Sequence, residues 1–85
     1  AGVNLAIAVG FYRANKYPEA EKRVQAVLKD DPDSGVALII GGDIAMAAKK
    51  WDEAEKLYRR RLTKAPEDFV AANNLAWVLA EYKDN

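Results

Sequence analysis

The sequence predicts an all-α fold, a stack of five antiparallel helices arranged as two and a half helix–turn–helix units. Three observations predict it. The tetrapeptide Glu19-Ala20-Glu21-Lys22 returns 34 residues later as Glu53-Ala54-Glu55-Lys56, and the same offset carries Leu28 onto Leu62, Pro32 onto Pro66 and Val36-Ala37 onto Val70-Ala71. Tyr17 falls on Trp51 and Asp33 on Glu67. Within each unit the apolar residues recur at three to four positions, the period of a helix. Between these stretches stand Asn, Asp, Ser and Pro, residues that end and restart helices. A period of this length marks a repeat architecture in which each unit buries its apolar face against the next.

The first helix is carried by Val3, Ile7, Phe11 and Ala14. It breaks at Asn15-Lys16, where Asn tolerates the left-handed backbone that closes a helix. Pro18 then fits the first turn of the second helix, where a missing backbone donor costs little. Ala20, Val24, Val27 and Leu28 make the buried stripe of that helix. In Asp31-Pro32-Asp33-Ser34 the proline stops continuation, and Asp33 or Ser34 caps the third helix. That helix is expected over roughly 35–48, and Lys49-Lys50-Trp51 turns the chain. Asp52 is expected to cap a fourth helix ending near Lys64, with Ala65-Pro66 as its stop. A fifth helix is expected from about Asp68 to Tyr82. The units are 1–34, 35–68 and the half unit 69–85, within one domain.

Charges fit solvent-facing helix surfaces. Glu19–Arg23, Asp52–Lys56 and Glu55–Arg59 stand four apart with the acid first, a pairing worth about 0.2–0.5 kcal/mol each. The run Arg59-Arg60-Arg61 points in three directions around a helix and so makes no single phosphate patch.

Composition narrows the function classes. The chain of 85 residues is one small domain's worth, and 51% hydrophobic with 31% charged residues is a globular balance. Thirteen basic against thirteen acidic side chains give no basic excess for a nucleic-acid partner. Cys and His are both absent from the sequence. That removes disulfides, thiolate nucleophiles, thiolate zinc sites and the imidazole base. Gly41-Gly42 lacks the Gly-Lys continuation of a phosphate loop. Asp43 reads as a polar contact rather than a catalyst. No apolar run approaches the ~20 residues of a membrane span. The chain is therefore expected to be no enzyme, to use no cofactor or metal, and to insert into no membrane. Its start at Ala1-Gly2-Val3, without Met, suggests a processed or excised chain.

A 34-residue helical hairpin with these residues resembles the tetratricopeptide repeat. The resemblance runs along the whole chain. It rests on Ala8 and Gly42, small residues where paired helices approach, and on the aromatic positions Phe11, Tyr17 and Trp51. Ala20 and Ala54, and the closing Pro32 and Pro66, complete it. Three departures stand out. Gly41 occupies a position where the family prefers Leu, a gap that a neighbour such as Trp77 is expected to fill. Arg61 stands where Ala is preferred, its stem expected to pack while its guanidinium reaches water. Lys49 replaces a turn Gly and is expected to strain or reshape that turn. The segment Asn73-Asn74-Leu75-Ala76-Trp77 resembles a helix common in bacterial members. Some of those belong to exopolysaccharide or protein-sorting loci, which suggests a bacterial source, in the cytoplasm or the cell envelope.

The resemblance implies a protein-interaction scaffold whose first helix in each hairpin lines a concave face. That face would present Leu5, Val9, Tyr12 and Arg13, then Val36, Ile39, Asp43 and Met46, then Val70, Asn73, Trp77 and Glu81. This largely apolar groove suits a partner peptide or helix with hydrophobic side chains. The subgroup that clamps a peptide carboxylate with cations is not matched, since Leu5, Val9, Ile40, Val70 and Asn74 stand at those positions. Leu75, Val78, Leu79 and Tyr82 on the fifth helix are expected to need cover. That implies excision from a longer array or a homo-oligomer formed through this helix. The alternative function is a structural spacer or self-associating module in a larger envelope or exopolysaccharide-related assembly.

Overall fold

The computed structural model describes residues 2–83, the side chain of Lys83 excepted. The outermost positions of the expected repeats, Ala1, Asp84 and Asn85, lie outside the described residues. Five helices succeed one another, α1 (Gly2–Arg13), α2 (Tyr17–Asp30), α3 (Gly35–Ala47), α4 (Trp51–Lys64) and α5 (Phe69–Lys83). Each agrees with its expected span to within a few residues.

The turns show why the period is 34. At the end of α1, Asn15 takes φ 61°. The Lys16 N–H donates to the Phe11 carbonyl at 2.8 Å, and the Asn15 N–H to that of Tyr12 at 3.0 Å. At the end of α3, Lys49 takes the same φ of 61°. Lys50 donates to Ala45 at 2.8 Å and Lys49 to Met46 at 3.0 Å. Both ends are Schellman motifs, which satisfy the orphan carbonyls of the last helical turn. Lys49 keeps the left-handed turn that a glycine would make, at a steric cost a glycine would not bear. The expected cap at Asp52 is not made. Lys50 is the N-cap of α4, and Trp51 is its first residue, just as Lys16 precedes Tyr17 in α2. The turn is so short that one residue closes one helix and opens the next. Asp52 lies in the first turn of α4 instead, where its charge suits the helix dipole.

The longer links repeat as well. The Ser34 N–H donates to the Asp31 carbonyl at 3.1 Å, and the Asp68 N–H to that of Ala65 at 3.0 Å. Of the two capping candidates it is Ser34 that accepts, from the Ala37 N–H at 3.4 Å. One repeat later Asp68 accepts from Ala71 at 3.1 Å.

Packing follows from helix polarity. α2 and α4 bury one stripe each, Ala20, Val24 and Val27 on the first and Ala54 and Tyr58 on the second. α3 is apolar nearly all round, as a helix packed on several sides must be. It divides the core in two. Ala8, Val24, Val27, Ile40 and Ile44 join α1, α2 and α3. Ala45, Ala54, Tyr58, Leu75 and Val78 join α3, α4 and α5. α1 touches α3 and α3 touches α5, whereas α2 and α4 make no comparable approach. The first helices of the hairpins therefore form one continuous layer, and the second helices splay apart behind it.

Three expectations from the sequence are corrected by the packing. Gly41 is not covered by Trp77, a residue that is 60% exposed. Its space is taken by Leu57 and Val24, whose methyl carbons would lie 3.2 and 3.3 Å from an added Cβ. The Arg61 side chain keeps part of its surface in water, but its guanidinium is held rather than free. It folds over Gly35 and pairs with Asp68 at 2.7 Å. Leu75 and Val78 need no further cover, because α4 already buries them. Only Leu79, half-buried, and Tyr82, exposed, remain of that set. Of the acid-first pairs, Glu55–Arg59 forms at 2.7 Å, while Arg23 donates to Asn4 across the first hairpin at 2.9 Å.

Candidate functional site

Among the described residues the exposed large hydrophobics are Val3, Val36, Phe69, Val70, Trp77 and Tyr82. Every one belongs to α1, α3 or α5, and none to α2 or α4. Val36, Val70 and Trp77 among them line pockets, whereas Tyr82 turns toward Asp52 at the start of α4.

Two pockets open along these helices. The larger, about 450 Å³, lies among Tyr12, Tyr17, Asp43, Met46, Trp51, Asn74, Trp77 and Glu81, with Ala47. The smaller, about 270 Å³, is lined by Val36, Ile39, Ile40 and Val70, with Gly35, Arg61 and Asp68 at its edge. The expected groove residues thus divide. Tyr12, Asp43, Met46, Trp77 and Glu81 meet in the first pocket, and Val36, Ile39 and Val70 in the second. Leu5 and Val9 are half-buried against the core of the first hairpin. Arg13 and Asn73 are exposed and line neither pocket.

The larger pocket is organised by Asp43. Its Oδ2 accepts the hydroxyl of Tyr12 from α1 at 2.7 Å. Its Oδ1 accepts the hydroxyl of Tyr58 from α4 and the amide Nδ2 of Asn74 from α5, the latter at 3.0 Å. One carboxylate on α3 is therefore tied to three other helices. Its donors are all neutral, and it forms no ion pair among the described residues. The rings of Tyr12 and Tyr17 stack with centroids 5.9 Å apart, which fixes one wall.

The phenols feel this arrangement. Burial first, then the hydrogen bond and negative charge of Asp43, push the Tyr12 hydroxyl up to about 12. The same causes in the same order hold the Tyr58 hydroxyl well above the usual tyrosine range. At the second pocket, the hydrogen bond from Arg61 holds the Asp68 carboxyl below its ordinary value, helped by the Ala71 N–H it caps.

Three residues that line the larger pocket, and the buried Tyr58 that holds its Asp43, are not found by reading the sequence. Tyr17 and Trp51 are legible only as aromatics at turns, yet both face the cavity. Tyr58 is hidden by the repeat itself, because its counterpart 34 residues earlier is the core residue Val24. Asn74 is visible only as a clamp position without a cation.

The layered helices, the 34-residue period and the site on the first-helix layer define a helical-hairpin repeat scaffold. The sequence model of the tetratricopeptide repeat matches residues 5–69, most of the chain. The chain belongs to the tetratricopeptide repeat family, whose members are non-enzymatic scaffolds that mediate protein–protein interaction. No curated protein and no solved structure shows a match to it. No described helix is long and apolar enough to cross a membrane.

Proposed function

We propose that the layer formed by α1, α3 and α5 binds an extended peptide or helix of a partner protein, with side chains entering the two pockets. The observation that carries this reading is the confinement of exposed large hydrophobics to those three helices. Three of them, Val36, Val70 and Trp77, line the two pockets, and exposed apolar surface beside a pocket is the feature expected of a docking face. The smaller pocket, walled by Val36, Ile39 and Val70, suits an aliphatic side chain. Trp77, an exposed residue, has the character of an interface anchor. A spacer without a ligand has no use for such a surface. Asp43 acts in this reading as an organiser of the pocket, not as a general base.

The test is selection of peptides from a random phage-displayed library on the immobilised domain, followed by solution titration. Trp77→Ala and Val36→Asp are expected to lose the selected peptides by tenfold or more, about 1.4 kcal/mol, with the helical circular dichroism unchanged. Selected peptides that bind both variants like the parent would sink the reading.

A further inference from the structure

The two pockets differ in a way that assigns the partner's chemistry. In the smaller one the charged groups, Arg61 and Asp68, are paired with each other at 2.7 Å and present no unmatched charge. The larger one is lined by four aromatic residues, Tyr12, Tyr17, Trp51 and Trp77, around the carboxylate of Asp43, whose hydrogen-bond donors are all neutral. We propose that this larger pocket seats the cationic head of an arginine or lysine side chain of the partner peptide. The proposal rests on the α1–α3–α5 face being a peptide site and deepens that reading by fixing the charge of one anchor.

Three observations carry it. Aromatic faces attract cations through their quadrupoles, indole most strongly, and two of the four rings are indoles. The negative charge of Asp43 is positioned by neutral donors, two phenols and an amide, which orient the carboxylate without cancelling its charge. Its half-buried place among rings weakens solvent screening, so a cation brought there is held more strongly than at an open surface. Finally, the walls are built in advance. The Tyr12–Tyr17 stack and the hydrogen bonds linking four helices fix the pocket without a ligand, which lowers the ordering cost of binding. A volume of about 450 Å³ accommodates one long side chain and its head group.

The experiment uses synthetic peptides acetyl-Ala-Leu-Ala-X-Ala-Leu-Ala-amide in which X is arginine, norleucine or glutamate. The indole Nε1–H signals of Trp51 and Trp77 are followed by NMR during titration. The arginine peptide is expected to bind about fivefold or more tighter than the norleucine peptide, and the glutamate peptide weakest. The arginine advantage is expected to shrink as salt is raised to about 0.5 M and to vanish in Asp43→Asn. Trp77→Leu, at an exposed residue, is expected to reduce the advantage as well and serves if Asp43→Asn loses its helical circular dichroism. Equal binding of the arginine and norleucine peptides would overturn the proposal while leaving the peptide groove standing. An arginine advantage that persists in either folded variant would overturn it too, and so would the absence of any indole shift with all three peptides.

Discussion

Tyr58 lies over Gly42 so closely that a Cβ on the glycine would sit 2.6 Å from the tyrosine Cε1. The tyrosine is fully buried, and its hydroxyl continues past the glycine to Asp43, the next residue along α3. The equivalent pair one repeat earlier is Ala8 with Val24, so a larger side chain on α4 is matched by a smaller one on α3. The floor of the larger pocket depends on this exchange.

Gly42→Ala is therefore expected to destabilise the domain by about 1–2 kcal/mol, because the overpacking cost outweighs the gain of about 1 kcal/mol in helix propensity. Gly10 supplies the contrast, since nothing lies within 4 Å of a Cβ built there. Gly10→Ala is expected to stabilise by about 0.5–1 kcal/mol. Urea unfolding of the two variants against the parent checks both signs.

Lys49→Gly is expected to raise stability by about 0.5–1 kcal/mol, as relief of the left-handed strain exceeds the added entropy of the unfolded chain. Asn15→Gly, at the same φ of 61°, is expected to gain less, because Asn tolerates that conformation better than Lys does. Thermal melts of both variants, compared at one pH and salt, separate the two effects.

Stability is expected to fall with rising pH above about 10. The Tyr12 hydroxyl is raised to about 12 in the folded chain, against 10.0 for an unperturbed tyrosine, and that of Tyr58 is raised further. A raised folded pKa contributes stability that is fully present below the unfolded value and lost as pH climbs through the folded one. The loss thus begins near pH 10 and continues through 12. Tyr58→Phe is expected to cost about 1–2 kcal/mol at neutral pH and to flatten the alkaline fall. Denaturant midpoints between about pH 8 and pH 11.5 read this directly, and a parent midpoint that holds constant across that range would contradict it.

Most of the fold is legible in the sequence because repeats announce themselves through the residues that break helices. Pro18, Pro32 and Pro66, with Asn15 and Ser34, set the element boundaries at positions where the physics is local. The site is legible only in part, because its chemistry depends on register between helices. Periodicity places Asp43 on the right face, but no local rule shows that a tyrosine on α4 and an asparagine on α5 reach its carboxylate. Arg61 illustrates the same limit. Its stem packing is predictable, but its partner Asp68 is set by how the turn after α4 folds back. Lys49 is readable in the other direction, since a repeat that requires a left-handed turn imposes one on whatever residue stands there.

The proposed binding face on α1, α3 and α5 is open to direct observation. The most direct test is an NMR titration of the isotopically labelled domain with a peptide selected on it, following every backbone amide. Saturable shifts are expected to concentrate at Tyr12, Val36, Asp43, Val70 and Trp77, with Gln25 and Arg60 on the second helices unmoved. Shifts concentrated on α2 and α4 instead would contradict that placement.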